Sequence, residues 1–231
     1  MLQAIFHGHS FVELLIDNKE SILIDPFISW NPWCDLGLKD FEHKNISGIL
    51  LTHGHHDHVG DTIFLHKKTT CPVVCMVELA NWLQLQWVSS CIKVNIWGNI
   101  KQPRWSVKFV RADHSNSNPD WWYAWLAAWL LITIHDKIIY HAGDTAYFTD
   151  ISLMQEYSID CAFLPIGDTF TMWLDDALKT AKVINAKIVV PIHYNTRPSI
   201  KVDDMEFARQ IMLYKYAVPK VLKPWQSVVL E

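Results

Sequence analysis

The chain has 231 residues, half of them hydrophobic and 19% charged, a composition that can bury a sizeable core and is unlike that of a disordered segment. Its net charge of −4, with no basic run, argues against a positive nucleic-acid-binding face. The longest apolar run, 121–134, is shorter than the ~20 residues a helix needs to span a bilayer.

Apolar or alternating runs predict strands over 3–7, 12–16 and 21–24, the last ended by Asp25-Pro26. A loop over 27–45 leads to a short buried strand at 46–51. A helix is expected over 61–67, with Asp61 or Thr62 as its cap. Residues 73–76 read as a strand, 78–86 as a helix and 107–111 as a strand. Residues 130–134 and 137–141 form a hairpin around His135-Asp136. Strands at 161–165 and 187–191 flank an amphipathic helix over 174–185, and a helix over 203–216 and a strand over 227–230 close the chain. With no repeat, linker or low-complexity segment, the expectation is a single domain over 1–231 of α+β class, two packed sheets with helices outside.

Cys34, Cys71, Cys75, Cys91 and Cys161 are odd in number and form no CxxC pair, and no leader precedes the first strand, so a reduced cytoplasmic protein is expected.

His53, His55, Asp57 and His58 fall within six residues, directly after an apolar strand. Packing does not explain such a cluster, whereas imidazole and carboxylate suit a divalent metal. Three later polar residues follow predicted strands: His114, Asp144 and His193. Strand ends along one sheet edge can assemble a site from distant segments.

The run His53-Gly54-His55-His56-Asp57-His58 resembles the HxHxDH signature of the metallo-β-lactamase superfamily, and the later His, Asp and His follow in that superfamily's order. Further segments are similar to a branch of small, stand-alone bacterial and archaeal metal-dependent hydrolases related to ascorbate-6-phosphate lactonase and N-acyl-phosphatidylethanolamine phospholipase D. These are Phe6-His7-Gly8-His9-Ser10, Ile22-Leu23-Ile24-Asp25-Pro26-Phe27, Tyr140-His141-Ala142-Gly143-Asp144-Thr145, Phe163-Leu164-Pro165-Ile166-Gly167-Asp168 and Pro191-Ile192-His193-Tyr194-Asn195-Thr196.

The resemblance implies a four-layer αβ/βα sandwich. It implies that His53, His55 and His114 hold one metal, that Asp57, His58 and His193 hold the other, and that Asp144 bridges both. Zinc is the leading metal, with manganese, iron or nickel as alternatives. The implied chemistry is hydrolysis of an ester, lactone, amide or phosphodiester bond of a small substrate by a hydroxide on the dinuclear centre, with Asp57 also orienting the water. Asp25 and His9 are expected to support the ligands from behind, and Asp168 and Asn195 to touch substrate or ligands. His56 is not read as a ligand. His7 and His141 are assigned to packing or hydrogen bonding, and His43, His66 and His135 to solvated positions.

The chain departs from this branch in its tryptophans, 12 against 8 glycines. Trp125-Leu126-Ala127-Ala128-Trp129, Trp173-Leu174 and Lys223-Pro224-Trp225 stand where the branch has Gly-Met-Pro-Ala-Gly, Gly-Pro and Lys-Pro-Gly. Core or interface packing, an apolar substrate pocket and an engineered sequence are the three readings. The apolar 121–134 segment points to a homo-oligomer if part of it is exposed. The rival to an enzyme is a catalytically inactive metal-binding scaffold that assembles through tryptophan-rich surfaces. A diiron redox protein would carry more carboxylate ligands, and an RNA nuclease would need a basic groove.

Overall fold

The computed structural model describes residues 1–34, 36–122 and 126–231. In chain order the elements are β1 (Leu2–Phe6), β2 (Val12–Ile16), β3 (Glu20–Ile24), β4 (Ile46–Leu50), α1 (His56–Val59), α2 (Thr62–Thr69), β5 (Val73–Met76), α3 (Val77–Leu85), β6 (Cys91–Val94), β7 (Asn99–Lys101), β8 (Trp105–Arg111), β9 (Ala128–Ile134), β10 (Lys137–His141), β11 (Cys161–Pro165), α4 (Leu174–Ile184), β12 (Ile188–Ile192), α5 (Asp204–Tyr214), β13 (Val218–Pro219) and β14 (Ser227–Leu230). The chain divides into two compact units: Met1–Ile96 with Ser115–Ala127 and Lys223–Glu231, and Trp97–His114 with Ala128–Leu222. Each holds one mixed seven-stranded sheet and helices, the α+β class read from the sequence.

In the first unit the strand order is β14-β1-β2-β3-β4-β5-β6. β1, β2 and β3 pair antiparallel, and β3, β4, β5 and β6 run parallel. β1 and β3 therefore point the same way, and the segments after β1, β3 and β4 leave at one edge of the sheet. Every residue of β5 is buried, as a strand covered on both faces requires. α3 buries Leu79, Ala80 and Leu83, the spacing of one helical face. Each such side chain contributes about 1.5–3 kcal/mol when fully buried, if Leu-sized.

In the second unit the order is β13-β12-β11-β10-β9-β8-β7. β8 and β10 both pair antiparallel with β9, and β10, β11 and β12 run parallel, so β8, β10 and β12 all end at the same edge. α4 buries Ala177, Thr180, Ala181 and Ile184, positions i, i+3, i+4 and i+7, and ends at Asn185 in the left-handed conformation. α5 starts at Asp203, whose carboxylate accepts from the Glu206 N–H at 2.9 Å.

The structure corrects four readings. β6, β7 and β13 were not foreseen: they are half-exposed edge strands of two to four residues, too short to carry a period. α1 is too short for a periodic signal. Asp61 stands at the N-cap of α2 but makes no side-chain cap; its carboxylate instead accepts from the Ile28 and Ser29 N–H groups, both at 2.9 Å. His66 is buried, not solvated, with Nδ1 2.8 Å from the Cys71 carbonyl and Nε2 beside Ser89.

The apolar 121–134 run resolves mainly into the buried strand β9, while Trp121 and Trp122 are exposed and Trp125 lies outside the described residues. Core packing accounts for Trp105 and Trp129; Trp30, Trp87, Trp97 and Trp173 join Trp121 and Trp122 at the surface. No helix among the described residues is long and apolar enough to cross a membrane.

Candidate metal centre

In the first unit the parallel pairing of β3 with β4 sets Asp25 beside Thr52 and His53. Asp25 is fully buried. Its Oδ1 accepts from the Thr52 N–H at 2.9 Å, and its Oδ2 accepts from the Thr52 hydroxyl at 2.7 Å and faces His58 Nδ1 at 2.7 Å. A carboxylate only accepts, so His58 donates from Nδ1 and presents Nε2 as its lone-pair nitrogen. The Thr52 hydroxyl has one proton, already given to Asp25. Its contact with His53 Nδ1 at 3.0 Å is therefore an acceptance, which makes Nε2 the lone-pair nitrogen of His53 too. One carboxylate thus sets the tautomer of two imidazoles, directly and through Thr52.

His9 reaches the same region from the turn after β1. Gly8 and His9 both hold left-handed backbones, φ 98° and 57°, and the Phe11 N–H donates to the Gly8 carbonyl at 3.0 Å. The fully buried His9 ring lies with Nε2 3.2 Å from Asp57 Oδ2. His9, Asp57 and His58 offer ligand atoms within 4.8 Å of one another. His53 Nε2 and His55 Nδ1 are 2.9 Å apart. Gly54, between those two histidines, donates its N–H to Asn116 Oδ1 at 2.8 Å, and a Cβ there would come within 2.4 Å of the Ser117 carbonyl oxygen.

Behind this edge sits a buried charge cluster. Glu13 accepts from Ser21 Oγ at 2.5 Å and from Lys44 Nζ at 2.6 Å, and faces His7 Nε2 at 2.9 Å. Burial alone would raise the Glu13 carboxyl; the His7 hydrogen bond and Lys44 outweigh it and hold the group down at about 2.

In the second unit His114 follows β8, Asp144 follows β10 and His193 follows β12. These are alternate strands, about 10 Å apart at each step, so the loops must bring the side chains together. Asp113 N–H donates to Thr145 Oγ1 at 3.1 Å and Ala146 N–H to the Asp113 carbonyl at 2.9 Å, which ties the His114 loop to the Asp144 loop. Gly143 turns with φ 52°, and His193 itself holds φ 54°. Gly167 packs on the His193 carbonyl so closely that a Cβ would fall within 2.1 Å of its oxygen. The result is a buried Asp144 whose Oδ2 lies 3.1 Å from His193 Nε2 and 3.6 Å from His114 Nε2.

Both donor sets fit a divalent ion. Two nitrogens on one tetrahedral zinc, each at ~2.0–2.1 Å, stand roughly 3.3 Å apart, and the His53–His55, His193–Asp144 and His114–Asp144 separations of 2.9, 3.1 and 3.6 Å bracket that value. Left-handed backbones at His9, Asp25, Asp168, His193 and Asn195 mark the same segments, as backbone strain does at functional sites. Asp168, half-buried, accepts at its carbonyl from Thr171 N–H at 2.5 Å, and Asn195 closes the loop after His193. Thr52 and Asn116 escaped the sequence reading. Thr52 adjoins the signature and could have been flagged by that position, but nothing in the sequence marks Asn116.

A family model described as the Beta-lactamase superfamily domain matches residues 20–194. The chain is 43% identical to a UPF0173 metal-dependent hydrolase of Bacillus cereus, over 97% of this chain and 98% of that one. Among solved structures it is similar to a metallo hydrolase from the archaeon Ignicoccus hospitalis, 29% identical with a TM-score of 0.89, covering 100% of this chain and 98% of the other. An isothiocyanate hydrolase from Delia radicum gut bacteria, 17% identical with a TM-score of 0.76 over 99% and 98% of the two chains, shares the fold.

Proposed function

The chain belongs to the beta-lactamase superfamily and is a metal-dependent hydrolase, and from that premise we propose that it cleaves an ester, lactone, amide or phosphodiester bond of a small substrate with two divalent ions. His53, His55 and His114 would hold one ion, and Asp57, His58 and His193 the other, with Asp144 shared. Zinc is the first choice, ahead of manganese, iron or nickel, since imidazole and carboxylate donors accept all four. Such ions, when bound, acidify water and polarise the substrate's carbonyl or phosphoryl oxygen.

The chain's own residues do the rest. Asp25 keeps the Nε2 lone pairs of His53 and His58 directed outward, the first through Thr52. His9 fixes the Asp57 carboxylate, and in this reading Asp57 orients the attacking water and carries a proton to the leaving group. The observation that carries this reading is the Asp25 relay: a fully buried carboxylate spent on setting imidazole tautomers serves ligand geometry. The five cysteines, none of them in a disulfide, suit a reduced, cytoplasmic setting.

The test is a panel of nitrophenyl esters, lactones and bis-nitrophenyl phosphate, assayed with added zinc or manganese and after chelation. Metal-dependent turnover that falls away in Asp57→Asn supports the proposal. A folded, metal-loaded chain that turns over none of the panel, or one whose turnover survives chelation, contradicts it. The first outcome would favour the scaffold reading, to which the exposed Trp121 and Trp122 lend themselves.

A further inference from the structure

The loop after β12 carries His193 and then folds back on itself. Asn195 closes it, its N–H donating to the Ile200 carbonyl at 2.8 Å and its Oδ1 accepting from Val202 N–H at 2.9 Å. Thr169 Oγ1 donates to the Ser199 carbonyl at 2.8 Å, and Ile200 is sunk in the core. A loop tied at so many points presents its side chains from a fixed base. Asn195, Thr196, Arg197, Pro198 and Lys201 line an open cavity at the surface of ≈ 320 Å³, with Arg197, Pro198 and Lys201 exposed. The lining carries two cations, an amide and a hydroxyl, and no carboxylate. Guanidinium and ammonium groups with neutral donors beside them are the chemistry of phosphate and carboxylate capture. Asn195 lies two residues from His193, so its Cα is at most about 7.6 Å from that of the proposed ligand.

We propose that this cavity receives an anionic group, phosphate or carboxylate, at the far end of the substrate whose bond is cut at the metals. The proposal rests on the hydrolase reading above and narrows its substrate class to anionic small molecules. Isothermal titration of the metal-loaded chain with phenyl phosphate, benzoate and neutral benzamide tests it, alongside the Arg197→Ala/Lys201→Ala variant. The anions bind the parent and weaken roughly tenfold or more in the variant, benzamide does not discriminate, and the tighter of the two anions identifies the group. Equal anion binding by both proteins overturns the proposal. Hydrolysis of a matched pair, the nitrophenyl esters of glutarate and valerate, separates the two claims. A glutarate preference that collapses in the variant upholds both. Anion binding lost in the variant with no cleavage of any ester, lactone or phosphodiester upholds the pocket and sinks the hydrolase. Cleavage with an unchanged preference does the reverse.

An independent observation concerns tryptophan. Trp87, Trp97, Trp121 and Trp225 hold left-handed backbones, with φ of 68°, 65°, 66° and 76°. All other non-glycine residues at positive φ in the described chain are His, Asp, Asn, Thr or Lys. An indole gains nothing from this region and meets its steric penalty. Packing does not hold Trp87 or Trp121 there, for they are 82% and 88% exposed. The chain has 8 glycines, where an average one of this length has about 16, and its tryptophans are in excess by a similar number. We infer that these four are glycine positions in the protein as its own cell makes it, the gene carrying UGA, a codon that different genetic codes read as tryptophan or as glycine. UGA at the four codons and glycine masses in protein from the native source uphold the inference; UGG and tryptophan masses overturn it. In the present chain, Trp87→Gly, Trp97→Gly and Trp121→Gly each raise Tm by about 2–4 °C, whereas Trp82→Gly in α3 and Trp105→Gly in β8 lower it. A uniform fall across all five counts against it.

Discussion

The two units arrive at their proposed donor sets by different routes. The first draws four donors from six consecutive residues at the end of one strand, and holds them from behind with Asp25, Thr52 and Asn116. The second draws three donors from the ends of three strands, β8, β10 and β12, separated by some eighty residues of chain, and holds them by loop-to-loop backbone bonds and a glycine contact. A local turn can set ligand geometry mainly with side-chain clamps. A dispersed set depends on the sheet itself, so damage to it should spread further.

Deleting the centre of the dispersed set sharpens this contrast most. Asp144→Ala should strip metal and abolish turnover by more than the ~10–100-fold expected of an outer partner, with the fold retained by circular dichroism; wild-type metal content in that variant would break the comparison. Next comes the cluster behind the first unit's edge. The Glu13 carboxyl is held at about 2, below its ordinary value of 4.5, so its stabilisation is complete above the unfolded value and drains as pH falls toward the folded one. That is worth about 3 kcal/mol at neutral pH. Urea melts of the parent should weaken between pH 5 and 2 by roughly this amount, and Glu13→Gln should show a correspondingly flatter profile; parallel profiles would refute the assignment.

Asp25→Asn and Thr52→Val probe the side-chain clamp and should each cost ~10–100-fold in metal affinity with little change in stability. If Thr52→Val binds metal like the parent, the tautomer relay to His53 is wrong. The smallest effects are expected from the glycines. Gly54→Ala and Gly167→Ala each force a backbone shift costing about 1–3 kcal/mol, seen as a lower Tm. Because His193 is placed by its backbone, Gly167→Ala should also lower metal affinity more than Gly54→Ala does.

The same contrast explains what the sequence made legible. His53, His55, Asp57 and His58 could be read unaided because contiguous donors have no packing explanation. His114, Asp144 and His193 were each weak alone; strand ends suggested them and the family's order joined them. β1 to β5 and β8 to β12 were foreseen within one or two residues, since buried strands write long apolar runs. β6, β7, β13 and α1 were not, being too short or too exposed to carry a period. His66 was misread because a polar residue in a polar helix looks solvated, whereas its ring finds Cys71 and Ser89 in the interior. Asn116 could not be seen at all: a loop amide that caps a distant N–H has no pattern of its own.

The most direct test of the central claim is metal per chain, by plasma mass spectrometry, on protein grown in defined medium, with Asp144→Ala beside it. About two ions per parent chain, falling sharply in the variant, is the predicted result. A parent that holds no metal tightly, or a variant that keeps its full complement, would contradict the account.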